Sequence, residues 1–268
     1  MRPRTCRNLP SSRTIRLCLI LICLSVGGTV TLGSSKGVVV VREDVSQARR
    51  QELAKQLRAI SGWPGLDFDS HGVLRLGAGD TDSGSQSARA LLRQAVDGNN
   101  VIVIEEASSR PDVAFCRVVP ARWLTKSGSK LPAFVVLIDF ADFHQILGDD
   151  EARAAFNVGW GFLHEVDHVV ADSKDAAEEE RLGECETHIN AMRREIGLPQ
   201  RVNYFFTESA LRTDPNFGSK LVRLAFEQYD SNNMRTRRYW LVWDSTVVGG
   251  LVVKSQTAAL RAAPRLRD

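Results

Sequence analysis

Trp160-Gly161-Phe162-Leu163-His164-Glu165-Val166-Asp167-His168-Val169-Val170 predicts a helix with apolar residues on nearly every side. A helix of that kind is buried, and a histidine carried into a core needs partners for its ring nitrogens. His164 and His168 stand four residues apart, so one helix face presents both imidazoles, close enough to share a metal ion, with Glu165 beside that face. Two nitrogen ligands and a carboxylate base from a single turn suit a zinc site that activates water. His164, His168 and His188 are three of the five histidines in the chain and fall within 25 residues. A solvated helix face would leave the apolar residues around them unexplained.

A catalytic zinc site needs a third protein ligand and a fourth position left for water. Residues 149–196 read as helix, interrupted at 171–175 and closed by Gly197-Leu198-Pro199. The second helix offers Glu178, Glu179, Glu180, Glu184, Glu186 and His188; the first three read as a solvated, dipole-favoured helix start. Glu186 is the expected ligand, because Asn190 lies four residues on, where it can hydrogen-bond a ligating histidine. Glu184 with His188 as its support is the runner-up, followed by Cys185 or His188 as a direct ligand.

Upstream, Gly37–Val41 predicts a buried strand, and Leu53, Leu57 and Ile60 a helix broken by Trp63-Pro64-Gly65. Short strands at 66–68 and 73–76, a Gly/Asp/Ser loop at 77–84 and a helix over 87–96 follow. Three more strands are expected at 101–104, 113–119 and 133–140. Gly77-Ala78-Gly79 lacks both the third glycine of a dinucleotide loop and the Gly-Lys-Ser/Thr ending of a P-loop, so it reads as a plain loop. Downstream, Leu221, Leu224, Ala225 and Phe226 predict a helix over 220–229, and Tyr239–Trp243 a closing strand. The expected fold is α+β, one domain over 37–245, with an N-terminal mixed α/β sheet part and a C-terminal helical part carrying the histidine helix.

The 268 residues, 43% hydrophobic and 25% charged, exclude a disordered tail, a collagen-like rod and a small disulfide scaffold. Residues 1–33 join five arginines to the apolar run Leu17–Val26 and then small residues, the pattern of a signal peptide or N-terminal anchor; the expected localisation is exported. The formal charge of +3 belongs to that leader. Without it, 30 basic and 32 acidic side chains leave −2, no electrostatic case for a nucleic-acid partner. Any membrane contact is expected through an uncleaved leader alone. Cys6, Cys18 and Cys23 fall in the leader, so Cys116 and Cys185 remain either as one disulfide or as two small buried residues. Residues 254–268 read as a disordered tail.

The His164-Glu165-Val166-Asp167-His168 segment resembles the zincin metallopeptidases, and among them the gluzincins, in which a glutamate of the following helix completes the site. Glu186-Thr187-His188-Ile189-Asn190 through Gly197-Leu198-Pro199 is similar to the helix end of small bacterial zincin-like proteins. The resemblance covers about residues 150–205. It implies one Zn2+ on His164, His168 and Glu186, with Glu165 as general base toward a peptide or protein substrate. Asp167 departs from the family, which usually carries uncharged residues there. The alternative is a non-catalytic zincin-like module that holds its metal structurally. Tyr204 and His144 are candidate oxyanion donors, and the strand at 133–138 is a candidate edge for binding an extended peptide.

Overall fold

The computed structural model describes residues 37–77, 82–108, 110–124, 128, 130–177, 181–203, 207–208, 221–231 and 234–249. The chain begins with β1 (Val38–Val41), α1 (Gln47–Ser61), the short pair β2 (Asp67–Phe68) and β3 (Leu74–Arg75), and α2 (Gln86–Asp97). It continues through β4 (Val101–Glu106), β5 (Cys116–Leu124), β6 (Lys130–Ile138), α3 (Phe140–His144), β7 (Leu147–Gly148) and α4 (Asp150–Ala154). Then come α5 (Val158–Ala171), α6 (Gly183–Glu195), β8 (Gln200–Arg201), β9 (Thr207–Glu208), β10 (Leu221–Asp230) and β11 (Arg235–Asp244). The fold is α+β.

Two sheets frame the site. In the first, the strand order is β1-β4-β6-β5, with β1, β4 and β6 parallel and β5 antiparallel to β6 at the edge. Val101 to Ile104 are all buried because β4 is covered on both faces, which is why it reads as an unbroken apolar run. On one face Val39, Ile102, Ile104 and Val136 pack against Leu53 and Leu57 of α1, Leu92 of α2, and Phe162, Leu163 and Val166 of α5. The side chains of α5 that face away from the histidines thus anchor that helix to the sheet. Ser46 caps α1, and Gly62 ends it at a φ of 75°, where an added Cβ would run into the carbonyl of Ser83.

The second sheet runs β7-β11-β10-β8, with β9 also on β10. It corrects two expectations. Residues 220–229 form strand β10, not a helix, paired antiparallel with β11 over its whole length. Val222, Leu224 and Phe226 alternate into a second core with Leu241 and Trp243, while Arg223 between them is exposed. Apolar spacing at 221, 224 and 225 fits a helix as well as a strand, and the cross-strand partner decided it. Among the described residues the helices of the C-terminal part therefore fall between 150 and 195, after which the chain returns to strand.

The strand at 133–138 is also not an edge. As part of β6 it lies between β4 and β5, its end Val135–Ile138 buried on both faces, so a peptide cannot add to it. Among the described residues the edge strand beside β6 is β5. The leader, Glu178 to Glu180, Tyr204 and the tail lie outside the described residues; among the described ones, no helix is long and apolar enough to cross a membrane.

Candidate metal centre

Asn157 caps the start of α5, accepting from the N–H groups of Gly159 and Trp160, and the helix turns the faces of His164 and His168 away from the first sheet's core. His164 Nε2 and His168 Nε2 lie 3.2 Å apart. Asp175 Oδ1 lies 3.1 Å from the first and 3.3 Å from the second. Donors bonded at about 2.0 Å to one tetrahedral ion stand about 3.3 Å from one another, so this triangle has the dimensions a zinc ion requires. The donor types, two imidazoles and one carboxylate, also suit zinc. Cys185 Sγ completes a group of four donor atoms that all lie within 4.8 Å of one another.

The loop after α5 delivers Asp175, and the first turn of α6 pins that loop. The N–H groups of Glu184 and Cys185 donate to the carbonyl of Lys174, and the Glu184 carboxylate accepts from the Lys174 N–H. Glu184, the runner-up ligand, thus holds the loop in place. His168 Nδ1 lies 2.9 Å from the Ser173 carbonyl. A carbonyl can only accept, so Nδ1 carries a proton and Nε2 is the nitrogen turned toward His164 and Asp175. Burial alone would lower the pKa of both imidazoles, yet Asp175, with Cys185, raises both. Two imidazoles facing one carboxylate attract positive charge into the space between them.

Glu186, the expected third ligand, is placed elsewhere. It is 1% exposed, and its two oxygens meet the guanidiniums of Arg193 and Arg201. Its Oε2 lies 3.5 Å from His164 Nδ1, the ring nitrogen opposite the Asp175 side. Burial would raise its carboxyl, but Arg193, Arg201 and His164 together hold it well below the usual carboxylate range. Asn190, expected to support a histidine, instead accepts from Arg193 and from the Arg201 N–H and donates to the Arg201 carbonyl. Asp175 carried no helical spacing that could single it out. Its one sequence signal is an acid in the short loop that folds back over the histidine helix.

Glu165, adjacent to the pair, is buried, and its Oε2 accepts from the Val118 N–H of β5 at 2.8 Å. Burial pushes its carboxyl pKa up, against the pull of His164 and His168. Asp167, the departure from zincin sequences, is buried and bonded to His188 Nδ1 at 2.9 Å, which occupies both residues away from the metal group. His144 pairs with Glu52 on an exposed surface. Cys116 and Cys185 are both free thiols, and burial pushes the Cys116 thiol up.

A cavity of ≈ 370 Å³ opens beside the helix, with His164 and Glu165 in its wall. Gly161 lets Cys116 and Phe143 pack closely on the helix there, since a Cβ would stand 2.8 Å from Cys116 Sγ and 2.9 Å from the ring of Phe143. No family model matches the chain, and neither a curated protein nor a solved structure is similar to it, so the geometry alone carries the functional reading.

Proposed function

We propose that the chain is a zinc-dependent hydrolase of peptide bonds, with His164, His168 and Asp175 as metal ligands and Glu165 as general base. The observation that carries this reading is the triangle of His164 Nε2, His168 Nε2 and Asp175 Oδ1, with edges of 3.1, 3.2 and 3.3 Å; of the three residues His164 also borders, with Glu165, the neighbouring cavity. A zinc ion in such a group supplies Lewis acidity, which polarises a carbonyl and brings the deprotonation of water to near neutral pH. Glu165 is held by the Val118 N–H through one oxygen, leaving Oε1 to take a proton from water and later deliver it to the leaving amine. Its raised pKa suits a group that must both accept and release that proton. Among the described residues β5 has no strand on its side away from β6, and this edge, which borders the cavity at Cys116 and Arg117, can align an extended peptide by strand addition beside the Val118 N–H that Glu165 already engages. The leader-like residues 1–33 support export as the setting of this activity.

The second reading, a closed structural metal site, is favoured by one observation, the place of the buried Cys185 Sγ in the donor group. Cys185 donates to the His164 carbonyl at 3.3 Å, which gives the thiol a role without metal. The test is Glu165→Gln. The hydrolase reading expects one zinc per chain in the variant and a fall of about 10²–10⁴-fold in cleavage of a peptide library, the usual worth of a general base. Zinc retained with cleavage unchanged would remove Glu165 from the reaction. Zinc in a wild-type chain that cleaves nothing would favour the structural site.

A further inference from the structure

β5 carries Pro120, and proline within a sheet is confined to edges because it has no N–H to give to a ladder. In an antiparallel pair the N–H and C=O of one residue point to the same side, and successive residues alternate between facing the partner and facing away. Two bonds fix which is which. The Asp139 N–H donates to the Phe115 carbonyl, so odd-numbered residues face β6, whereas the Val118 N–H is turned away to Glu165. Cys116, Val118 and Pro120 therefore present their backbone groups on the outer side, where among the described residues no strand pairs with β5. Along this side the donors are missing one after another. The Cys116 N–H donates to the Ala114 carbonyl at 2.7 Å, the Val118 N–H to Glu165 at 2.8 Å, and Pro120 has none. Among the described residues none of the three outward carbonyls has a hydrogen-bond donor. Alternate carbonyls of a strand stand about 6.8 Å apart, too far to share one cation and matched to the alternate N–H groups of another extended chain.

We infer that the outer edge of β5 from Cys116 to Pro120 binds an extended peptide through acceptors alone. It takes the peptide's N–H groups at alternate residues and gives no N–H in return, and Pro120 is the residue that determines this polarity. The inference rests on the hydrolase reading for what the peptide is, and it sets the substrate class of that same site: extended segments with N–H groups free at alternate positions, hence without proline at those positions. Glu165 stands at the middle of the row, bound to Val118, so a peptide held by these carbonyls passes beside the carboxylate assigned as general base. The cavity borders the same edge at Cys116 and Arg117. Pro120 and Arg122 are exposed, so water meets the peptide's own carbonyls there, and the missing donors lower affinity without leaving a buried group unpaired.

The experiment is calorimetric titration of the full-length chain, stripped of metal with EDTA so that nothing is cut. The probes are acetyl-Thr-Val-Phe-Thr-Val-amide and its five analogues in which one backbone N–H is replaced by an ester oxygen. The edge predicts that affinity falls by about three- to tenfold, the usual effect of one hydrogen bond, on replacement at alternate positions, and by less than about twofold at the positions between them. Pro120→Ala supplies the missing N–H at an exposed position of the strand and is expected to tighten binding of the parent peptide by about three- to tenfold, a gain that a damaged fold cannot imitate. No binding of the parent peptide, losses that do not alternate along it, or a Pro120→Ala chain with unchanged or weaker affinity overturns the inference. Its failure is distinguishable from that of the hydrolase reading. A chain that holds no zinc yet shows the alternation and the gain loses the hydrolase and keeps the edge, whereas a zinc-loaded chain that cleaves peptides but shows neither keeps the hydrolase and loses the edge.

Discussion

The two ring nitrogens of His164 look into regions built on different principles. On the Nε2 side, two imidazoles and the half-exposed Asp175 bring their donor atoms together around one point. On the Nδ1 side, Glu186 is sealed in the core and balanced by Arg193 and Arg201. Both sides present a carboxylate to the same imidazole, yet only one of these carboxylates is placed to share a metal with it. A carboxylate pressed between two guanidiniums has its lone pairs already engaged, while one on a loop held by backbone bonds can offer an oxygen to an ion. On the proposed reading, with zinc on the Nε2 side, the Nδ1 side would act through His164, fixing the ring and raising its basicity, as carboxylates behind zinc-bound histidines do.

This contrast can be broken by exchanging the consequences of two substitutions. Asp175→Ala is expected to weaken zinc binding by more than about a hundredfold, beyond what a partner behind a ligand contributes, while changing the stability of the metal-free chain by under about 1 kcal/mol. Competition with a chelator and urea unfolding measure the two. Glu186→Gln should do the reverse: it leaves two buried guanidiniums without their anion, at a cost of about 3–5 kcal/mol in unfolding free energy, and reduces zinc affinity by only about 10–100-fold. If Glu186→Gln abolished zinc binding in a chain of normal stability, Glu186 would be the ligand and the contrast would fall.

Acid sharpens the same distinction. The Glu186 carboxyl is depressed in the fold from its ordinary value of 4.5, so its stabilisation is present above that pH and is lost as pH falls below it. The metal-free wild-type chain should lose stability between about pH 5 and pH 3 more steeply than Glu186→Gln does. Cys185→Ala tests the Nε2 side: an open site keeps one zinc per chain with less than about a tenfold change in affinity, whereas a closed site loses its fourth ligand and at least about a hundredfold. The smallest effect belongs to Asp142 of α3, whose carboxyl burial pushes up to about 6 although it accepts from the N–H groups of Phe115 and Gly249. Its contribution to stability is full below its ordinary value of 3.8 and is lost as pH rises to about 6, so Asp142→Asn should flatten the stability profile between about pH 4 and pH 6.

Much of this molecule is written locally. The β-branched run Val38–Val41, the apolar stripe Leu53, Leu57, Ile60 and the His164–His168 spacing each carry their own period, and strand, helix and histidine pair stand where those periods put them. What escaped the sequence depends on partners distant in the chain. β10 became a strand because β11 pairs with it, and β6 became central because β5, which precedes it, folds back onto its outer side. The carboxylate that meets the two Nε2 atoms escaped for the same reason. Glu186 has the better helical position, but Arg193 and Arg201 claim it, and Asp175 reaches the histidines only because α6 clamps Lys174.

The most direct test is zinc K-edge X-ray absorption on the full-length chain loaded with one equivalent of zinc. An open His164, His168 and Asp175 site predicts two imidazole nitrogens and oxygen donors at about 2.0–2.1 Å around the zinc, with no sulfur. A sulfur scatterer at about 2.3 Å, which would make Cys185 a ligand and close the site, or a chain that does not retain the metal, would contradict it.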